Sequence, residues 1–104
     1  MKPSRSRDKT SSARRDAAEA LAVAALGFLA AEPEHIGRFL ASTGIGPGEV
    51  RQASREPGFL AGVLDHLASD EPLLLMFARQ QQIDPAEIER ARAALGGIWE
   101  RDLP

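Results

Sequence analysis

Cysteine is absent from the 104 residues, and so is tyrosine. Without thiols the chain has no disulfide scaffold, thiolate zinc site, iron–sulfur cluster or cysteine nucleophile. Valine occurs three times and no stretch alternates apolar with polar residues, so strand signals are missing. Long hydrophobic runs are lacking as well. A membrane span needs about 18 unbroken apolar residues, whereas the richest stretch, 17–31, is mostly alanine and is interrupted by Glu19. Catalytic raw material is scarce. His35 and His66 are the only histidines, each beside an acid in the chain, Glu34 and Asp65. Two histidines without cysteine make no zinc set, and a site using both with a carboxylate is the one metal arrangement left open. Gly44, Gly46 and Gly48 alternate without the spacing or the following lysine of a phosphate loop. No serine or threonine sits in a nucleophile-elbow context. The expectation is a protein that is not an enzyme, with no catalytic residue, no metal and no cofactor.

Helical periodicity is what remains. Leu21, Ala24, Ala25, Phe28 and Leu29 recur at the spacing of one helix face. Ser11 or Ser12 can cap that helix, with Asp16 and Glu19 in its early turns. A second stripe, Ile36, Phe39, Leu40 and Thr43, follows the Glu32-Pro33 break and stops at Gly44, a residue suited to a left-handed helix end. Gly46-Pro47-Gly48-Glu49 opens a short helix with proline first and glutamate third. After Glu56-Pro57, Phe59, Leu60, Val63, Leu64 and Leu67 form a strong stripe. Asp70-Glu71-Pro72 opens the next helix, whose Leu73–Phe77 run is apolar all round and belongs in a core centre. Asp84, Pro85 and Glu87 start the last helix, which buries Ile88, Ala91 and Leu95 and is expected to end at Gly96-Gly97. The fold class is therefore all-α, an orthogonal bundle of five to six short helices at 13–95, flanked by a basic arm at 1–12 and a tail at 96–104.

Charge is unevenly placed. Residues 1–15 carry six basic side chains against Asp8 alone, a balance of +5. The remaining residues carry seven basic against fourteen acidic side chains, −7, within an overall −2. Residues 1–12 have too little apolar surface to order themselves and are expected to be a mobile arm, chiefly a solubilising tail, with nucleic-acid tethering or targeting as alternatives. The arm lacks the apolar stretch of a secretory signal, so a cytoplasmic location is expected.

The chain also matches itself at an offset of 38 residues. Leu29-Ala30 pairs with Leu67-Ala68, Phe39 with Phe77, Ile45 with Ile83, Pro47 with Pro85, Glu49 with Glu87, Val50 with Ile88 and Ala53 with Ala91. Two duplicated helical units, related by a pseudo-two-fold core, are the reading favoured over convergence on the same caps. Residues 40–51 also fit a helix-turn-helix template, with Gly44 in the turn and Val50 locking the second helix. Its reading face offers Arg51, Gln52 and Arg55, to which the arm adds Lys2, Arg5, Arg7 and Lys9. A body of charge −7 repels DNA, so the motif reads first as a packing device.

Several segments resemble a family of small bacterial proteins of unknown function, found mainly in alphaproteobacteria and catalogued as domain of unknown function 3572. They include Ala18-Glu19-Ala20-Leu21 to Phe28-Leu29, Ile36-Gly37-Arg38-Phe39-Leu40 with Thr43-Gly44-Ile45, and Pro57 to Asp65. Asp70-Glu71 with Leu73-Leu74-Leu75, and Asp84-Pro85 with Ala91-Arg92-Ala93-Ala94-Leu95, complete the set, and the resemblance spans about 17–96. It implies an all-helical cytoplasmic protein and assigns no activity, cofactor or catalytic residue. The expected function is a non-catalytic protein–protein interaction module. Candidate partner-binding residues are Phe39, Leu40, Ile45, Val50, Leu74, Met76 and Trp99; most of them are expected to build the core as well, and Trp99, in the tail beyond Gly97, is expected first to fold back over it, with a partner anchor as the alternative. A nucleic-acid binder is the second reading, and a homodimer burying the Leu73–Phe77 helix is the third.

Overall fold

A computed structural model describes the backbone of residues 2–102 and the side chains of residues 13–56 and 58–96. The order is α1 (Lys2–Ala30), α2 (Pro33–Thr43), a 3-10 turn (Pro47–Glu49), α3 (Val50–Ala53), α4 (Pro57–Ala68), α5 (Glu71–Gln81) and α6 (Pro85–Asp102). The chain is all-α, with six α-helices and no strand among the described residues.

Proline sets most of the helix starts. Pro33, Pro57 and Pro72 each stand at the first or second helical position, where a missing N–H costs nothing, and the residue before each helix is extended. Side chains complete several caps. Asp70 Oδ1 accepts from the Leu73 N–H at 3.3 Å, and Asp84 Oδ1 accepts from the Ala86 N–H at 2.8 Å. Glu49 reaches back to accept the Gly46 N–H at 3.0 Å, while its own N–H donates to the Gly46 carbonyl at 2.9 Å.

Two ends differ from expectation. Helix α1 runs through Ser11 and Ser12 instead of starting there, because nothing after Pro3 breaks a helix. The side chains of Lys2, Arg5, Arg7 and Lys9 lie outside the described residues. Helix α6 likewise continues through Gly96 and Gly97 to Asp102. Glycine ends a helix by adopting a left-handed conformation, and the left-handed residues are Gly44 and Gln82. The side chain of Trp99, on the last turns of α6, also lies outside the described residues.

Helix α4 is the centre. Leu60, Ala61, Val63, Leu64 and Leu67 are buried, and α1, α5 and α6 all pack on it. Helix α1 meets the core with Ala18, Ala22, Ala25 and Leu29, whose small side chains allow close approach, and α6 meets it with Ile88, Ala91 and Leu95. Helix α5 contributes Leu73, Phe77 and Ala78. Its Leu73–Phe77 run is not buried all round: the helix packs on one side only, so Leu75 and Met76 face solvent.

The 38-residue register appears in the elements themselves. Helices α2 and α5 each have 11 residues and start 38 apart. Ala30 and Ala68, also 38 apart, end α1 and α4. The helix ends Gly44 (φ 77°) and Gln82 (φ 58°) are both left-handed. Phe39 and Phe77 are the buried rings of their helices. The ring contacts are exchanged between units: Phe28 meets Phe77 with centroids 5.3 Å apart, and His66, 38 residues after Phe28, meets Phe39 at 5.3 Å. The units diverge at their third helix. Helix α6 has 18 residues, whereas Glu56-Pro57 stops α3 after four.

The paired left-handed ends make a stability test. Gln82 carries a Cβ in a conformation that costs an L-residue roughly 1–2 kcal/mol, partly offset by glycine's greater freedom when unfolded. Gln82→Gly is expected to stabilise by up to about 1 kcal/mol, and Gly44→Ala to destabilise by about 1 kcal/mol, in urea titrations.

Candidate partner-binding surface

The structure scatters the sequence-derived candidates over three environments. Phe39 is 1% exposed and belongs to the core, so it offers nothing to a partner in the closed fold. Leu40 and Leu74 are half-buried against that core, and Ile45 and Val50 are half-buried along the turn and α3. Met76 is 51% exposed, and next to it Leu75 is 43% exposed. Val23 on α1, at 52%, is the third large exposed apolar side chain among the described residues. Leu75 was missed because a run of large apolar residues reads as core when the packed side of the helix is unknown. The signal for Leu75 is its place two residues after Leu73 and two before Phe77, which puts it on the opposite face from both.

Arg51, Gln52 and Arg55 are all exposed, on α3 and the turn after it. The second helix of the helix-turn-helix template is here a 3-10 turn followed by one α-turn. A reading helix presents several turns to a groove. Ser54 continues the turn, its hydroxyl donating to the Arg51 carbonyl at 2.7 Å.

A groove of about 760 Å³ runs between α1 and α6. Ala17, Ala18, Leu21, Ala91, Ala93 and Ala94 line it, with Arg14, Glu87 and Arg90 among its charged members. Alanines on both walls leave this channel where longer side chains would fill it.

All four phenylalanines and both histidines join in ring contacts. Phe28 stacks on His35 at 6.0 Å, and Phe39 meets Phe59 at 5.5 Å, besides the exchanged pairs. His66 is half-buried, and burial is the largest cause lowering its pKa from 6.5; Asp70 opposes that shift and His35 adds to it. Its neutral form is thus favoured in the fold. The stability it supports is present above pH 6.5 and declines as pH falls through that value towards the lower folded pKa. No group of three His, Asp or Glu side chains could hold a metal ion among the described residues.

Arg92 Nε donates to Asp65 Oδ1 at 2.8 Å and its Nη1 to Glu89 at 2.9 Å, joining α6 to α4. The hydrogen bond to Asp65 is the main cause raising the Arg92 pKa from its already high value. Asp65 is largely exposed, so water screens the pair. Asp65→Ala is expected to cost less than about 1 kcal/mol in thermal melts, with the loss shrinking as salt rises.

No helix among the described residues is long and apolar enough to cross a membrane. The chain matches no curated protein and no solved structure. One family model does match, over residues 15–98, which takes in the core of all six helices and the 38-residue register. The chain belongs to the family described as protein of unknown function (DUF3572).

Proposed function

We propose that the protein is a non-catalytic protein–protein interaction module that docks through the outer face of α5. The observation that supports this reading is the pair Leu75 and Met76, adjacent and each more than two-fifths exposed. Large exposed apolar side chains placed together lower the free energy of a complex by leaving water. Methionine adapts to an irregular partner surface, and Arg79, one turn further on and exposed, supplies the polar edge. Leu74 extends the patch towards the core. A cytoplasmic location belongs to the same proposal.

The nucleic-acid alternative draws on Arg51, Gln52 and Arg55, which are exposed but sit on too short a helix to lie along a groove. A second copy of the chain is a further occupant for the α5 face.

The test compares wild type with Leu75→Glu/Met76→Glu, whose helix content is checked by circular dichroism. Wild type is expected to retain a stoichiometric protein from bacterial lysate, with and without nuclease, and the folded double variant to lose it. Equal capture by both overturns the α5 assignment. Binding of a labelled duplex that falls steeply with salt moves the reading to nucleic acid. Concentration-dependent light scattering that the double variant abolishes makes the partner a second copy.

A further inference from the structure

The segment from α2 through α3 meets the rest of the protein through α2, where Ile36 and Leu40 lie half-buried against the core. Its helices and turn contribute one buried side chain, Phe39. That ring lies between two groups from α4, Phe59 at 5.5 Å and His66 at 5.3 Å. One turn earlier on the same face of α2, His35 stacks on Phe28 of α1 at 6.0 Å with ring planes 30° apart. The Nδ1 atom of His35 is enclosed and has no hydrogen-bond partner. Both histidines therefore stand where the α2–α3 segment meets the body, and each uses its ring as an apolar surface.

We propose that His66 is a pH-operated clasp: as a neutral ring it holds the α2–α3 segment against α4, and protonation releases it. A neutral imidazole can lie against phenylalanine with little loss, whereas an imidazolium must give up hydration to stay there. His35, in the same seam, adds to the lowering of the His66 pKa. Asp70, at the start of α5, is the charged group acting in the opposite sense on His66. Glu32, just before α2, and Glu34, in its first turn, precede His35 in the chain and are exposed to water. Burial is the largest influence on His66, so the closed form is favoured above pH 6.5 and loses that advantage as pH falls. Opening withdraws Phe39 from the core together with Ile36 and Leu40, and so creates an apolar surface that the closed fold hides.

The register supplies a control. Phe28 occupies in the first unit the place His66 occupies in the second, with the same 5.3 Å contact to the exchanged phenylalanine. His66→Phe therefore keeps a ring at that position and removes its proton.

Hydrogen exchange on the full chain, about one pH unit either side of 6.5 and corrected for intrinsic rates, tests the clasp. Protection of amides in 36–53 is expected to fall severalfold at the lower pH while α4 and α6 keep theirs. In His66→Phe that local fall is expected to be largely lost. A uniform fall across all helices, no fall at all, or the same local fall in His66→Phe overturns the proposal. Should His66→Phe fail to fold, NMR titration of the wild-type His66 imidazole decides: the opening midpoint must coincide with the titration of His66, and a midpoint away from it overturns the clasp.

Discussion

Burial of α4 is the constraint on which the other elements depend. Five of its twelve residues are buried, and their side chains point to more than one side of the helix, so no single neighbour can cover it. The solution is an enclosure by α1, α5 and α6. Alanine makes that enclosure close: Ala18, Ala22 and Ala25 let α1 approach as a smooth surface, and Ala91 does the same on α6. Where the two smooth surfaces diverge, the alanine-lined groove between α1 and α6 is left behind.

What this enclosure omits is left at the surface. With α4 covered by three helices, α2 and α3 bury one side chain fully, Phe39, and seat Ile36 and Leu40 half-buried beside it. Helix α5 covers α4 with one side and leaves Leu75 and Met76 on the other. The apolar surfaces available to a partner are thus by-products of how the central helix is covered. Charge takes little part in this: the ion pair between α4 and α6 lies at the surface, where it adds little to the hold between them.

Helix number, most starts and the repeat were legible in the sequence because each has a local cause. Pro33, Pro57, Pro72 and Pro85 fix helix beginnings without reference to distant residues, and Gly44 and Asp84 act within a turn of their own position. Helix α4 was legible for another reason: five large apolar residues at helical spacing leave it no exposed alternative. The errors came where a local signal permits without compelling. Gly96-Gly97 can end a helix or continue one, and a polar stretch such as 2–12 can be coil or helix; both were read the first way and lie in helices. The exposure of Leu75 and the burial of Phe39 depend on which neighbours arrive on which side. That is a property of the assembled bundle, and no window of sequence contains it. Neither histidine announced itself, since the residues that make them matter, Phe28 and Phe39, are seven and twenty-seven positions away.

The exchanged ring contacts tie the two halves of the chain to each other. Each unit offers one ring from its first helix and one phenylalanine from its second, and both are satisfied by the opposite unit. A chain holding one unit could close these contacts only by meeting another copy, so its folding would depend on concentration. Joined in tandem, the units find each other at a fixed high effective concentration, and folding becomes unimolecular. Covalent linkage also frees the two halves to differ, because a change in one no longer appears twice. Phe28 and His66 hold corresponding places at the 38-residue offset, and of these two rings only the imidazole can carry a proton.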